Sequence, residues 1–349
     1  MRISDLGEFG LIRNIQRLSL RKSSSALIGI GDDAAALKVS SSKTLLVTTD
    51  MLLEKIHFDF SFTDFHSLGW KSAAANLSDI AAMGGVPRYC LTSIGIPDHV
   101  SVEQIRDFYR GFHSLMKTHK TVLVGGDTCH SAKGMVISIT VLGEVDKRNL
   151  LSRAGAKPGD RVFVTGTLGD SAAGLEILKK RAKGQGGMIK GAEARPLIAK
   201  HIRPVPRVAA GRAIARSRCA SAMIDISDGL SSDLAHICEQ SGVGAEIHSD
   251  RIPISPALMK LSAGLTMPAL CYALSGGEDY ELLFTVPPRK IKMLQSLRIP
   301  VTEIGSVKRG KALTLVEDTG IKKTLQATGY DHFRRMESPQ NAQRGRLPL

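Results

Sequence analysis

The chain has few aromatic residues and few cysteines, and it has no long apolar run. Aromatic side chains make up 5% of its 349 residues, and the five cysteines are far apart, with no CxxC pair. This spacing is that of neither a zinc site nor a disulfide framework, so free thiols are predicted. No apolar run reaches the roughly 18 residues of a membrane helix, and the charged N-terminus is not that of a signal peptide. The sequence therefore predicts a cytoplasmic protein with no membrane partner.

Basic residues outnumber acidic ones, with 47 Lys and Arg against 33 Asp and Glu, which gives a net charge of +14. Such an excess is common in nucleic-acid-binding proteins. Here, however, the basic residues are dispersed, aromatic residues are scarce and no nucleic-acid motif is present. We therefore expect no nucleic-acid partner, and part of the charge can instead attract small polyanions.

A chain of this length exceeds a single core of about 150 residues and favours two domains. The polar stretch 146–160 predicts a boundary between an N-terminal domain (1–148) and a C-terminal domain (149–333), followed by a basic, disordered tail (334–349). Periodicity predicts a first helix at 7–20, and glycines predict a surface loop at 183–191. Gly166 and Gly169 precede a helix, where the missing GK[ST] ending favours a tight turn over a phosphate loop.

Residues 73–83 are apolar almost all round, which is typical of a buried helix. Gly84 and Gly85 predict where it ends. The helix nonetheless contains Asn76 and Asp79 on one face. An ionised carboxylate in such surroundings requires a partner. Two alternatives stay open for Asp79, which are a salt bridge to Lys or Arg and membership of a functional site.

Acidic residues also follow other apolar runs, each beside Gly, Ser or Thr, in the motifs 29-GIGDDAA-35, 48-TTD-50, 125-GGDT-128 and 225-DISDG-229. We expect strand 44–49 to end on Asp50, a buried strand 121–124 to precede Asp127, and strand 222–226 to deliver Asp225. Residues 135–145 are predicted to form a central strand. One acidic turn is ordinary capping chemistry, but five in one chain indicate a shared site. Because clustered carboxylates repel one another, such a site is expected to bind Mg²⁺ and phosphate groups.

Several motifs in this order resemble those of the thiamine-monophosphate kinases, a family related to aminoimidazole-ribonucleotide synthetase and selenophosphate synthetase. They are GIGDDAA, TTD with the following His57, NLSDIAAMGG, GGDT, SRAGAKPGD, DISDGLSSDL, SGGEDYEL and GYDHF, and they cover about residues 5–333. The Cys and Lys pair of selenophosphate synthetase is missing. The resemblance implies a two-domain α+β fold like that of aminoimidazole-ribonucleotide synthetase, with the N-terminal sheets pairing in a homodimer. It also implies transfer of the γ-phosphoryl group of ATP to thiamine monophosphate.

The resemblance further implies roles for individual residues. Several Mg²⁺ ions would be held by Asp33, Thr48, Thr49, Asp50, Asp79, Asp127, Asp225 and Asp228, of which Asp33, Asp79, Asp127 and Asp228 would be catalytic. ATP would contact Tyr109, Gly126, Asp127, Arg153 and Ser227. Thiamine monophosphate would contact His57, Glu278 and Tyr330. Without the resemblance, these last three are an ordinary imidazole, a turn acid and a packing residue.

Two other functions stay open at this stage. The chain could be a ligase like aminoimidazole-ribonucleotide synthetase, which activates a carbonyl oxygen by phosphorylation, or a nucleotide sensor without catalysis. ADP formation with each substrate distinguishes these alternatives.

Overall fold

The computed structural model describes residues 26–28, 32–185, 191–330 and 332. The predicted helix 7–20, the tail 334–349 and residues 186–190 of the predicted loop lie outside these ranges.

Six strands form the first sheet. They are β1 (Ala26–Ile28), β2 (Ala35–Lys38), β3 (Lys43–Leu53), β4 (Val86–Ile96), β5 (Val122–His130) and β6 (Val136–Asp146). Their order is β1-β2-β3-β6-β4-β5, and neighbours are antiparallel except for the parallel pair β4 and β5. The strand predicted to be central is β6, and its position between β3 and β4 confirms the prediction.

Three expectations about this sheet are wrong. β3 pairs with β6 from Lys43 to Leu53, so Asp50 lies inside the strand and not at its end. β5 likewise continues through Asp127 to His130, because its pairing with β4 extends past the glycines. β5 is also an edge strand with mostly exposed residues and not a buried one. An apolar run alone does not separate these two kinds of strand.

Helices α1 (Phe65–Ala82) and α2 (Val102–Thr118) pack against each other over this sheet. α1 ends at Ala82, and Gly84, whose φ of +72° suits glycine, follows its C-cap Met83, as the sequence predicted. The two helices approach closely because Gly69 has no side chain. A Cβ atom there would lie 1.9 Å from the carbonyl oxygen of Phe108.

Seven strands form the second sheet, and seven helices accompany them. The strands are β7 (Arg161–Thr165), β8 (Ala222–Ile226), β9 (Gly244–His248), β10 (Glu281–Val286), β11 (Val301–Lys308), β12 (Leu313–Val316) and β13 (Lys322–Thr324). The helices are α3 (Asp170–Ala182), α4 (Arg195–Ile202), α5 (Val208–Ser217), α6 (Leu230–Ser241), α7 (Pro256–Leu261), α8 (Ala269–Ser275) and α9 (Ile291–Ser296). The strand order is β13-β12-β9-β11-β7-β10-β8, antiparallel except for β9 with β12. Mostly antiparallel sheets covered by helices confirm the α+β class.

α1 joins the two parts of the molecule. It packs against α2, β3 and β6 on one side and against α5 and β8 on the other. Most of its side chains are buried, and one apolar cluster continues from the first sheet to the edge of the second. Any polar residue of α1 that faces this junction is therefore held between the two sheets.

All five cysteines are free thiols, as predicted, and Cys90, Cys219 and Cys238 are buried. Among the described residues, no single helix is long and apolar enough to span a membrane. Only the short helices Pro256–Gly264 and Ala269–Ser275 taken together, bent by 114°, reach that length and composition.

Candidate active site

Three carboxylates from distant parts of the chain meet at the junction that α1 forms. Each of Asp33, Asp79 and Asp225 has an oxygen within 4.8 Å of the other two. Asp33 precedes β2, Asp79 lies on α1, and Asp225 lies in β8. Two hydroxyl groups hold the carboxylates in place, because Thr48 Oγ1 donates to Asp79 (2.5 Å) and Ser78 Oγ donates to Asp225 (2.6 Å). We call Asp33, Asp79 and Asp225 the acidic cluster.

Burial and mutual repulsion dominate the electrostatics of this cluster. Burial, with repulsion from Asp50, Asp225 and Asp33, raises the pKa of Asp79 well above its usual value. Burial and Asp33 likewise raise the pKa of Asp50 to about 6. The charged groups with the largest effect on Asp79 are the three carboxylates of Asp50, Asp225 and Asp33, and no salt bridge joins Asp79 to a Lys or Arg of the described residues. Of the two alternatives for Asp79, the structure therefore favours the functional site over the salt bridge.

Arg153 is the cation nearest to Asp33. Its Nη2 donates to Asp33 Oδ1 (2.7 Å), and its backbone N–H donates to Asp32 (3.2 Å). Burial lowers the pKa of the guanidinium, but attraction to Asp33, Asp32 and Asp225 overcomes that effect and raises it. Burial and Asp33 raise the pKa of Asp32 to about 7. One Arg thus faces several carboxylates and does not neutralise them.

Thr49 lies apart from the acidic cluster. Thr48 and Thr49 are neighbours in β3, so their side chains project from opposite faces of the sheet. Thr48 reaches Asp79 on the α1 face, while the Thr49 hydroxyl donates to Ile139 O (3.1 Å) and accepts from Thr140 (3.1 Å). The structure therefore does not bring the predicted Thr49 hydroxyl to Asp79.

Asp127 and Gly126 also lie away from the cluster, on the edge strand β5. Asp127 is paired with Ser93 and shares its exposed, outer face of the sheet. Asp127 is therefore not grouped with Asp79 in the single chain, because the pleat directs its side chain to the other face of the sheet, and its role stays a prediction. Tyr109, on α2, packs edge-on against the aromatic rings of Phe108 and Phe112.

Ser227 and Asp228 form the turn after β8. Asp228 belongs to a second group with Asp233 and His236, whose ligand atoms lie within 4.8 Å of one another. Asp233 accepts hydrogen bonds from the backbone of Asp228 (3.3 Å) and Gly229 (3.0 Å), which fixes the turn. The turn thus presents Ser227 and Asp228 close to β8 and its Asp225.

The predicted acceptor residues His57, Glu278 and Tyr330 are brought together by two residues that the sequence analysis missed. Lys71 Nζ lies 2.7 Å from Glu278 Oε1 and donates to His57 O (3.3 Å). His332 Nε2 lies 3.3 Å from His57 Nε2, and its ring centroid lies 4.7 Å from that of Tyr330. A lysine inside an apolar helix was the available signal for Lys71, by the same rule that singled out Asp79. We call His57, Glu278 and Tyr330 the acceptor group.

Glu278 stands on a strained turn. Glu278 and Tyr280 have φ angles of 63° and 51°, a region that non-glycine residues rarely occupy. Between them, the Asp279 carboxylate accepts hydrogen bonds from the backbone of Gly169 (2.7 Å) and Ser171 (3.3 Å), which holds the turn. Such strain is concentrated at functional sites, where the surrounding structure enforces it.

Tyr280 connects the two groups. Burial raises the pKa of its hydroxyl well above the usual value, and Glu278, Asp50, Asp225 and Asp79 raise it further. The hydroxyl is therefore within electrostatic range of both the acceptor group and the acidic cluster. The turn after β8 is also tied to this turn, since Glu278 N donates to Ser227 O (2.7 Å). The two groups thus form one continuous site.

Comparison with known proteins gives matches over nearly the whole chain. The family model for the AIR synthase related protein N-terminal domain matches residues 31–145, and that for the C-terminal domain matches residues 157–318. Thiamine-monophosphate kinase of Bacillus subtilis is 37% identical over 334 residues, which is 94% of this chain and 100% of that protein. Its counterpart in Salmonella typhimurium is 40% identical over 336 residues, 94% of this chain and 98% of that protein.

Solved structures also match the chain over most of its length. AaThiL complexed with AMPPCP and TMP has a TM-score of 0.83 and 36% identity, covering 95% of this chain and 99% of that one. Thiamine monophosphate kinase from Aquifex aeolicus has a TM-score of 0.78 and 35% identity, covering 93% and 99%. By identity, coverage and fold, the chain belongs to the thiamine-monophosphate kinase family of AIR-synthase-related proteins.

Proposed function

We propose that the chain transfers the γ-phosphoryl group of ATP to thiamine monophosphate and yields thiamine diphosphate and ADP. Relatives of this name match it end to end, and a similar solved structure contains AMPPCP and TMP. The observation that carries the proposal is the hydrogen bond from Glu278 N to Ser227 O (2.7 Å), which ties the acceptor group to the turn that follows Asp225 of the acidic cluster. A donor that binds through metal ions and an acceptor phosphate would meet there.

The acidic cluster fits Mg²⁺. Carboxylate oxygens are the ligands that this ion takes, and buried carboxylates that repel one another are stabilised by a cation. Among the described residues, Asp33 Oδ2 and Asn76 Oδ1 are buried without a hydrogen-bond partner. We propose Asp33, Asp79 and Asp225 as ligands, with the neighbouring side chains of Asp50 and Thr48, and Asp228 at the adjoining turn. When bound, Mg²⁺ would neutralise charge on the two substrates' phosphates.

Residues of this chain would orient the nucleotide. Arg153 is held by Asp33 and presents a planar cation suited to phosphate oxygens. Ser227 lies on the turn after β8, beside the cluster. We keep Gly126, Asp127, Tyr109 and Thr49 as predicted ATP or metal residues from the family resemblance. Asp127 and Thr49 would contact ATP or the metal from the outer face of the sheet.

The acceptor requires no general base. The second pKa of a phosphate monoester is about 6, so the acceptor is already an anionic nucleophile at neutral pH. The task of His57, Glu278 and Tyr330 would be to hold thiamine monophosphate in line with the donor. Glu278 bears a negative charge suited to the cationic thiazolium of thiamine. Burial opposes ionisation of Glu278, yet Lys71 keeps the pKa of this carboxyl below its usual value.

ADP release tests the function directly. We expect ADP formation that requires both thiamine monophosphate and Mg²⁺ and that stops in EDTA. ADP formation with precursors of aminoimidazole ribonucleotide, and none with thiamine monophosphate, would instead indicate the ligase. Nucleotide binding without any ADP would indicate a sensor.

We also propose that the chain forms a homodimer through its N-terminal sheet. This sheet exposes apolar side chains in three of its strands, namely Met51 in β3, Tyr89 and Leu91 in β4, and Val122 and Val124 in β5. Monomeric proteins rarely expose such a patch, and the edge strand β5 adjoins it. The division at residue 148, the tail and the cytoplasmic location stay predictions from the sequence.

A further inference from the structure

Lys71 is a buried ammonium group in the middle of the apolar helix α1. Its side chain is 2% exposed, in a helix whose other buried residues are mainly Ala, Leu and Ser. Burying a charged amine is unfavourable unless partners replace the lost water, so such a residue is retained for a specific purpose. Lys71 precedes Asp79 by eight residues, about 12 Å along the helix axis. One helix thus carries a buried cation near the acceptor group and a buried carboxylate in the acidic cluster.

All three donors of the Lys71 ammonium have partners from different parts of the chain. One donor is directed at the Glu278 carboxylate, with Lys71 Nζ 2.7 Å from Oε1 and 2.8 Å from Oε2. A second donor is directed at His57 O, 3.3 Å from Nζ. The third faces His201 Nε2 at 3.4 Å. His57 follows β3, Glu278 precedes β10, and His201 lies in α4. A single side chain therefore joins the two acceptor residues that come from opposite sheets.

His201 completes this arrangement as a neutral imidazole. Burial, together with repulsion from Lys71, lowers its pKa to about 3. Because Nε2 accepts from Lys71, the proton is on Nδ1, which faces Glu278 Oε2 (3.3 Å) and Ser171 Oγ (3.2 Å). His201 thus supports both members of the ion pair without adding charge.

We propose that Lys71, supported by His201, is a positioning residue that fixes the Glu278 carboxylate and the His57 loop for the acceptor substrate. The proposal rests on the proposed function. Lys71 itself does not touch substrate, because its side chain is buried and its donors are used. It acts by keeping Glu278 ionised and by fixing its distance from His57. Its loss should therefore change recognition of thiamine monophosphate and leave that of ATP almost unaltered.

The test compares Lys71→Met, Glu278→Gln and the double variant, with KM measured separately for thiamine monophosphate and ATP. We expect Lys71→Met to raise the KM for thiamine monophosphate about tenfold or more and the KM for ATP less than about twofold. In the Glu278→Gln background, the same change should have less than about a twofold effect, since a residue that acts through Glu278 has nothing left to position. Calorimetric titration with thiamine monophosphate gives an independent affinity.

Lys200→Met is the matched control, because Lys200 also pairs with a buried glutamate, Glu281 (3.2 Å), but contacts neither His57 nor Glu278. The proposal would be overturned if Lys71→Met raised both KM values equally or raised neither. It would also be overturned if Lys71→Met raised the KM for thiamine monophosphate as much in the Glu278→Gln background as in the wild type. If the single variant fails to fold, Glu278→Gln and the double variant are compared, and a difference above about threefold overturns it. Wild-type ADP formation that ignores thiamine monophosphate would refute the proposed function itself.

Discussion

At the scale of single residues, Asp79 gives the sharpest test of the acidic cluster. Its charged neighbours are Asp50, Asp225 and Asp33, and each destabilises its ionised form. Asp79→Asn keeps the shape and removes one negative charge. We expect the metal-free variant to be as stable as the wild type or slightly more stable, and most activity to be lost. Thermal melts with EDTA and with Mg²⁺ and ATP measure both effects, because a ligand that binds only the folded state raises its stability.

A salt bridge between Asp79 and a cation predicts the opposite result. If a buried Lys or Arg were the partner of Asp79, the substitution would leave a cation unpaired and cost about 3–5 kcal/mol with or without metal. A variant that melts far below the wild type in EDTA would therefore contradict the site assignment. Ser78→Ala, which removes one hydrogen bond to Asp225 and keeps every charge, serves as the control.

The sequence identified many of the chemical residues but not all of their partners. Asp79 is recognisable as a carboxylate in an apolar helix, and Asp225 as an acid at the end of a buried strand. Lys71 satisfies the same rule as a charged residue in an apolar helix, but its partner Glu278 is 207 residues away, so the sequence does not show their pairing. His201 gives no local signal, and His332 belongs to the GYDHF motif but was not singled out, since both residues matter through contacts with Lys71 and His57, which come from distant parts of the chain.

At the scale of elements, Glu281 ties the start of β10 to α4, α5 and β7. Its buried carboxylate pairs with Arg207 and Lys200 (3.2 Å) and accepts from Thr165 (2.6 Å). Burial opposes its ionisation, but Arg207 and Lys200 lower its pKa below the usual value. A lowered folded pKa stabilises the protein above the unfolded value of 4.5, and this stability is lost as the pH falls through the folded pKa.

We therefore expect Glu281→Gln to reduce the free energy of unfolding at pH 7 by about 1–3 kcal/mol, because two cations lose their partner. The difference from the wild type should shrink as the pH falls below 4. Urea unfolding from pH 7 to pH 3 measures it, and Glu303→Gln, on a partly exposed pair with Arg161 (3.6 Å), is the control. A difference that stays constant with pH would exclude this role for Glu281.

The sequence predicted well which segments form helices and which form strands, but it did not predict where strands β3 and β5 end. Ser101 and Gln104, three residues apart, form a capping box at the start of α2, a pattern that is readable in the sequence alone. The ends of β3 and β5 were missed because pairing with long neighbours continues each strand beyond its apolar run. This difference matters for function, since a strand that continues through Asp127 fixes the face on which its side chain lies.

At the scale of the whole molecule, the position of Asp127 connects catalysis to assembly. Asp127 faces the exposed side of the first sheet and is not among the grouped carboxylates Asp33, Asp79 and Asp225, while the family resemblance assigns it to ATP. The position of Asp127 and its predicted contact with ATP are compatible if the ATP site includes the outer face of the sheet, where we propose that a second copy of the chain packs. Dissociation of the dimer should then weaken ATP binding more than binding of thiamine monophosphate.

Val122→Glu tests this link. Val122 is 54% exposed on the outer face and lies five residues before Asp127, about 16 Å along β5, so the substitution does not touch Asp127 directly. A charge in an apolar interface is unfavourable, so we expect a monomer by sedimentation and an increase of about tenfold in the KM for ATP. Met293→Glu, at an exposed apolar residue of α9, should leave both the oligomeric state and the KM for ATP unchanged. A wild type that sediments as a monomer, or a monomeric variant with the wild-type KM for ATP, would separate Asp127 from any role at an interface.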